Sequence, residues 1–357
     1  MSLVKALSVA DPLTETGKIL NSCNRKVAEV RRFEFARARK HDQESPRKPA
    51  LCLEALSCGP EQGQSKGKSV WCYRQSDKML FPANPRNVGS SRYFYRVEEF
   101  SEAEIAYLRE QAERAMTAAG RVLNHELVDM FTMVSNLRRQ VAEHNLGGDE
   151  AAEMEARFGE AERGMGERWH WRFEEDGLPF MERLRERDAS FLSSDGKSVF
   201  PFCFFLAAQY TRTKQMQKAV RAAMLPHGLD LHRVWSVESH LWANQIGLAI
   251  LRHLRRTNVE LLVNESPVAF ITGDQPVINL RESTRPMPEF YYPVSPDTAL
   301  ILRVVAEGQS ISTRSVSRLE VENYNHMIFR WSDDQIYGQD GQYLSSLAGL
   351  PKQPVNV

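Results

Sequence analysis

A polar side chain interrupts the apolar face of one predicted helix, and an acidic side chain ends one predicted strand. Gln209 lies where the helical spacing of apolar residues predicts a hydrophobic side chain, and Arg212 follows on the same face. Asp274 follows an apolar run and precedes Gln275 and a proline, as at the end of a strand. Because buried amide and guanidinium groups need partners, we predict a polar cluster of Gln209, Arg212 and Asp274. In a functional cluster, Arg212 would clamp an anion and Asp274 would act as acid, base or metal ligand.

The same three residues also have a structural interpretation. An aspartate two residues before a proline commonly stabilises a turn through its own backbone. A buried Arg–Asp pair can also simply lock two elements together. The sequence pattern is compatible with both interpretations, so both stay open.

Two further sets of residues carry suitable chemistry at less informative spacings. His232, Glu238 and His240 could serve a metal or a proton transfer, but their spacing matches no helical metal-binding pair and is typical of coincidental surface residues. Arg139 and His144 have the R-x-x-x-x-H spacing of a class of helical ribonucleases, in which such a pair stabilises and protonates a phosphodiester. In a chain this rich in arginine the spacing also arises by chance.

Helices that could position these residues are predicted in the middle of the chain. A capping box of Ser101 and Glu104 begins a helical region that continues to about Asn145. Three more helical stretches are predicted, at about Glu150 to Arg187 with an interruption near Gly177 to Pro179, at Phe202 to Met224, and at Glu238 to Arg255.

Strands are predicted on both sides of these helices. Val70 to Arg74 and Lys78 to Phe81 indicate a hairpin. Later strands are predicted at 259–263, 267–272, 291–294, 299–305 and 335–337, with a helix at about 315–329. We therefore predict an α+β protein whose helical middle packs against a mostly antiparallel sheet. The expected organisation is a basic, weakly structured segment at 1–68, a single α+β domain at 69–338 and a loose tail at 339–357.

Composition and charge limit the classes of protein to consider. Hydrophobic residues make up 42% of the 357 residues and charged residues 26%, which excludes wholesale disorder. No apolar run approaches the length of a membrane span, and the first residues lack the pattern of a secretory signal, so a cytoplasmic protein without membrane contact is expected. Residues 1–100 carry 18 Lys+Arg against 11 Asp+Glu, whereas residues 101–200 carry 13 against 21. Mutual neutralisation is the simpler explanation, and nucleic-acid contact through the basic segment is the alternative.

Common cofactor and metal motifs are missing from the sequence. The cysteines are odd in number, five, and include no C-x-x-C pair, which argues against a disulfide framework and a zinc ribbon. There is no Gly-rich phosphate loop and no G-x-S-x-G elbow. The sequence therefore predicts no metal site and leaves any cofactor or partner unknown.

Three ordered stretches resemble a bacterial family, the proteins grouped as domain of unknown function 4238. They are Val70 to Arg74 with 85–88 and 93–95, Phe205 to Thr213 with its Gln-x-x-Arg-Thr signature, and Phe270 to Val277 with 292–296. The resemblance covers roughly Ser69 to Gly338 and implies a bacterial intracellular protein, but no known reaction. The family's His-His-x-x-Pro element does not precede Val70 here, so any chemistry of those histidines is not expected in this chain.

Three functional hypotheses follow from the sequence. The first is a protein whose polar pocket binds or hydrolyses a small or nucleic-acid ligand through Asp274, Arg212 and Gln209. The second is a protein-interaction module without enzymatic activity. The third is a ribonuclease that uses Arg139 and His144. An open concave site around Asp274 would favour the first hypothesis, and a sealed cluster beside an exposed apolar helix face the second.

Overall fold

The computed structural model describes residues 69–85, 99–143, 148–194, 196–228, 230–281, 287–306 and 308–349. The basic segment at 1–68, and the nucleic-acid contact considered for it, lie outside these described residues.

Helices fill the middle of the chain, as the sequence predicts. Their bounds are α1 Glu102–Glu113, α2 Ala118–Ala142, α3 Gly148–Arg185, α4 Gly196–Thr211, α5 Lys214–Met224 and α6 Trp235–Arg252. The predicted capping box begins α1, where the Ser101 side chain accepts from the Glu104 amide and the Glu104 carboxylate accepts from the Ser101 amide. No helix in the described part of the chain is long and apolar enough to span a bilayer.

Two predicted helix boundaries are wrong. The expected interruption near Pro179 does not occur, because α3 continues through this exposed proline. The single helix expected at Phe202 to Met224 is two helices, α4 and α5. The backbone of Thr213 is extended, and its hydroxyl accepts a hydrogen bond from the Met216 amide, so Thr213 caps a new helix.

Strands form two sheets. Their bounds are β1 Val70–Arg74, β2 Met79–Ala83, β3 Thr257–Asn264, β4 Thr272–Gly273, β5 Ile278–Asn279, β6 Glu289–Ser295, β7 Thr298–Val304, β8 Ser310–Val316 and β9 Gln335–Gly338. One sheet has the order β2-β1-β9-β4 and the other β5-β6-β7-β3-β8. All described pairs are antiparallel except β3 with β8. The predicted α+β class with a mostly antiparallel sheet is confirmed.

The five-stranded sheet is the middle layer of the fold. Alternate side chains of its central strands, such as Leu261 and Tyr292, belong to the core shared with helices α2, α3, α4 and α6. The intervening side chains, such as Leu262 and Tyr291, pack against the opposite layer. That layer contains the four-stranded sheet and two C-terminal helices, α7 Arg318–Trp331 and α8 Gly341–Leu347.

Two elements differ from the expectations near the C-terminus. The strand β8 overlaps the start of the helix predicted at about 315–329, which instead begins at Arg318 after its own capping box. The helix α8 lies in the segment expected to be a loose tail. Asp340 caps this helix, and its Leu344 and Leu347 side chains are buried against the four-stranded sheet, so the packed structure extends past Gly338.

Candidate functional site

Three helices bring five polar side chains together in the helical layer. Helix α3 contributes His170 and Glu174, one turn apart. Gln209 lies in the last turn of α4, Arg212 directly follows that helix, and α6 contributes His240. We call these five residues the Arg212 cluster.

Arg212 joins the helices of the cluster. Its Nη2 atom donates to Gln209 Oε1 at 2.7 Å and to Glu174 Oε1 at 3.1 Å. Its guanidinium lies over the Phe173 ring, 5.8 Å from the ring centroid. The Arg212 and Glu174 side chains are 18% and 12% exposed, so this ion pair lies at the edge of the core, where solvent reaches it.

Two buried imidazoles lie beside this ion pair. The rings of His170 and His240 are 5.0 Å apart, and Phe173 contacts both of them. Burial, followed by the positive charge of Arg212, lowers the pKa of His240 to about 3. Burial lowers the pKa of His170 well below its ordinary value, and His240 and Arg212 add to the effect. Both imidazoles are therefore neutral near pH 7.

His240 has hydrogen-bonding capacity that the fold does not use. Within the described part of the chain, His240 Nδ1 is buried and has no hydrogen-bond partner. A neutral imidazole offers one donor and one acceptor, and leaving a buried polar atom unpaired costs about 1–3 kcal/mol. The cluster therefore retains hydrogen-bonding capacity in an aromatic setting.

Asp274 lies directly after β4 and has other partners. Its carboxylate accepts hydrogen bonds from the backbone amides of Asp333, Asp334 and Gln335 at 2.7, 2.8 and 2.9 Å. Burial raises its pKa, although the three amides oppose that shift. Among the described residues Asp274 forms no hydrogen bond or ion pair with Gln209 or Arg212. The structure thus brings together two of the three predicted residues, and the third holds the turn between α7 and β9.

The residue next to Asp274 provides a link between the two regions. The amide of Gln275 donates from Nε2 to the carbonyls of Tyr210 and Val277, at 3.1 and 2.6 Å. The Thr213 hydroxyl donates to Gln275 Oε1. The segment after β4 is therefore attached to the junction of α4 and α5, directly beside Arg212.

The other predicted sets are not brought together. His232 is exposed and contacts Gln217, whereas Glu238 and His240 are buried and two residues apart on α6, and so point to different sides of the helix. Arg139 donates to the Phe100 carbonyl and to Asn136, and His144 lies outside the described residues. No group of three His, Cys, Asp or Glu side chains that could hold a metal ion occurs in the described ranges.

His170 and Glu174 were not selected from the sequence. A usable signal was present, because a histidine and a glutamate four residues apart share one face of a helix, with Phe173 between them. Glu174 lies in a strongly acidic stretch of the sequence, so its pairing with His170 did not stand out. The identity of the Arg212 partner also depends on how distant helices pack, which spacing within one helix does not reveal.

Comparisons with known proteins identify a family. No curated protein and no solved structure matches the chain. The family model described as "Protein of unknown function (DUF4238)" matches residues 31–342, so the match begins well before Ser69, where the resemblance in the sequence begins. The match includes every residue of the Arg212 cluster, and the chain belongs to this family.

Proposed function

We propose that this protein binds a small polar ligand with an anionic group at the Arg212 cluster. Arg212 would receive the anionic group, and Gln209 and Glu174 would hold its guanidinium in place. His170 and His240 would supply neutral hydrogen-bonding groups. A small molecule fits this arrangement better than a nucleic acid, because the imidazoles are buried and a polymer could not reach them.

The proposal depends most on the unpaired Nδ1 atom of His240. This is a buried polar atom without a partner among the described residues, in a helix that also packs tightly against α4. Unpaired buried polar atoms are uncommon in folded proteins, and a role in binding or catalysis is one explanation for them.

Binding is better supported than hydrolysis. A general base works best when its pKa lies near the operating pH. The pKa of His240 is lowered to about 3, which makes this imidazole a weak base at neutral pH. Hydrolysis is therefore the less favoured form of the proposal.

A thermal-shift screen tests the proposal. Wild type and Arg212→Lys would be screened against orthophosphate, nucleoside monophosphates and short dicarboxylates, with divalent metals and short RNA and DNA as comparison arms. A ligand at about 100 times its dissociation constant adds roughly 2.7 kcal/mol of stability, which raises the melting midpoint measurably. We expect a small anion to raise the midpoint of wild type but not of Arg212→Lys.

A matched control separates loss of the ligand site from a general effect of replacing an arginine by a lysine. Arg109→Lys changes an exposed arginine that pairs with Asp129, away from the cluster, and should leave the ligand shift unchanged. A shift that survives in Arg212→Lys, or that only the nucleic acids produce, would contradict the proposal.

A protein-interaction module is the second candidate, and β8 is the observation that favours it. This strand is an edge of the five-stranded sheet, and most of its residues are exposed. A second copy of the chain suits this edge, because antiparallel pairing about Thr313 places Arg314 opposite Ser312 and keeps the two arginines apart. Light scattering should then show a dimer that Thr313→Lys disrupts, and a monomeric wild type would rule this candidate out.

The ribonuclease hypothesis has less support. Arg139 lines a groove of about 630 Å³ whose lining includes the three carboxylates of Glu102, Asp129 and Glu143. Those carboxylates would repel a phosphodiester.

A further inference from the structure

Glu238 is a buried carboxylate that the Arg212 cluster does not use. It lies in α6 and is 1% exposed. Its Oε1 atom accepts a hydrogen bond from Trp242 Nε1 at 2.9 Å. Its Oε2 atom is buried and has no hydrogen-bond partner among the residues that the structure describes. A carboxylate oxygen in this position needs a donor or a cation.

Aromatic side chains surround this carboxylate. Trp235, Glu238 and Trp242 occupy positions i, i+3 and i+7 of α6 and so share one face of the helix. The two indole rings are nearly perpendicular, at 78°, with centroids 5.7 Å apart. Tyr107 of α1 lies beside Glu238, and a side-chain hydrogen-bonding interaction between them lowers the pKa of Glu238 and raises that of Tyr107. Tyr107 and Trp242 are only partly buried, so this group of residues reaches the surface.

This combination matches one class of ligand. Perpendicular aromatic walls attract an alkylated ammonium group through the negative faces of their rings, and a carboxylate neutralises its charge. A divalent metal would need several oxygen ligands, and no such group of carboxylates lies here within the described ranges. We propose that Trp235, Glu238, Trp242 and Tyr107 form a binding site for a small organic cation with an alkylated ammonium group.

The charges near Glu238 determine how binding would depend on pH. Burial raises the pKa of Glu238 to about 7, while Trp242, Arg114 and Tyr107 oppose that shift. Arg114 is exposed and paired with Glu110 at 2.8 Å, so solvent screens its repulsion of a cation. Only the ionised carboxylate attracts a cation. Its ionised fraction rises about tenfold between pH 6 and pH 8 when the pKa is about 7, so affinity should rise by about the same factor.

The first experiment uses the full chain and tetramethylammonium chloride as the probe. Tryptophan fluorescence is followed during titration at pH 6 and pH 8, with sodium chloride at equal ionic strength as the reference. We expect a saturable change with tetramethylammonium only, and a dissociation constant about tenfold lower at pH 8. The absence of a saturable change at pH 8, or an affinity that does not depend on pH, would overturn the proposal.

Variants then locate the site by calorimetric titration at pH 8. Glu238→Gln keeps the shape of the side chain but removes its charge, and should weaken binding at least about tenfold. Trp242→Phe should weaken it by a smaller factor, because one indole face is replaced by a smaller ring. Glu153→Gln is the matched control, since Glu153 is exposed on α3 and pairs with Arg157 one turn away, and it should bind as wild type does. Wild-type affinity in Glu238→Gln would overturn the proposal, whatever the stability of that variant.

Discussion

Arg212 is the residue on which the candidate site depends. Its guanidinium joins α3 to the end of α4 through Glu174 and Gln209, and its charge acts on both buried imidazoles. A partly buried ion pair of this kind is seldom a large net source of stability, because desolvation and solvent screening offset most of the attraction between the charges. The charge, the neutral imidazoles and the unpaired His240 nitrogen are the features that support the proposed ligand site.

The neutral state of His240 gives a pH prediction. Its folded-state pKa, about 3, lies below the ordinary value of 6.5, so the unfolded chain binds the proton more readily. The stability contributed by neutral His240 is present above pH 6.5 and is lost as the pH falls toward 3. Glu238 has the opposite effect. Its pKa is raised in the folded state, so it favours the folded state at low pH, and this contribution is lost as the pH rises through about 7.

The two effects are separated by comparing a variant with wild type. Both proteins retain Glu238, so its effect cancels in the difference between His240→Gln and wild type. Between pH 7 and pH 5, we expect the unfolding free energy of His240→Gln to rise by about 2 kcal/mol relative to wild type. Urea unfolding at each pH measures this difference. His227→Gln, at an exposed histidine, is the control. If the difference in unfolding free energy from wild type is as independent of pH for His240→Gln as for His227→Gln, His240 is not held neutral.

Asp274 gives a prediction about stability. Three backbone amides donate to its two carboxylate oxygens, so an asparagine must turn its NH2 group toward at least one of these donors. We expect Asp274→Asn to lower the free energy of unfolding by about 2 kcal/mol. Asp77→Asn, at a turn residue that is exposed, should change it by less than about 0.5 kcal/mol. Equal stabilities of Asp274→Asn and wild type would show that the turn does not depend on this carboxylate.

At the scale of elements, the junction of α4 and α5 positions the site. The chain leaves α4 at Thr211, presents Arg212 and starts again at Lys214, because the Thr213 hydroxyl caps α5. The helical spacing of apolar residues continues across this junction and therefore predicted one long helix. The break comes from a threonine that also bonds Gln275, a contact between residues 62 positions apart that spacing does not contain.

Removing this hydroxyl should cost more than an ordinary cap. Thr213→Ala loses the cap, about 1 kcal/mol, and leaves the buried Gln275 side chain without one partner, so we expect a total loss of about 2–3 kcal/mol. Thr117→Ala is the matched change, because Thr117 caps α2 through the Gly120 amide, and should cost about 1 kcal/mol. Chemical denaturation measures both values, and Thr213→Ser should restore most of the loss. If Thr213→Ala costs no more than Thr117→Ala, the bond to Gln275 contributes nothing.

At the scale of the whole molecule, the layers explain which elements were predictable. Strands β3, β6 and β7 are buried on both faces and so appear in the sequence as apolar runs. Strand β8 is exposed and reads Ser-Ile-Ser-Thr-Arg-Ser-Val, which has no such run, and it was missed. Two of the five residues of the site, His170 and Glu174, were missed for a related reason. Gln209 and Arg212 stand out on their own helix, whereas their pairing with His170, Glu174 and His240 arises only when three helices pack.

The layers also explain why Asp274 and Arg212 have different tasks. Asp274 lies after β4, in the four-stranded sheet, and its bonds are to the turn before β9. Arg212 lies in the helical layer. Ligand binding at the Arg212 cluster should therefore be insensitive to Asp274 in any variant that remains folded.

Calorimetric titration of the small anion that most raises the melting midpoint tests the central claim most directly. The dissociation constant would be measured for wild type, His240→Gln, Arg212→Lys and Asp274→Asn. We predict that the His240 and Arg212 variants bind at least about tenfold more weakly, which corresponds to about 1.4 kcal/mol, and that Asp274→Asn binds as wild type does. Wild-type affinity in the His240 and Arg212 variants, or loss of binding in folded Asp274→Asn alone, would contradict the assignment of the site to the Arg212 cluster.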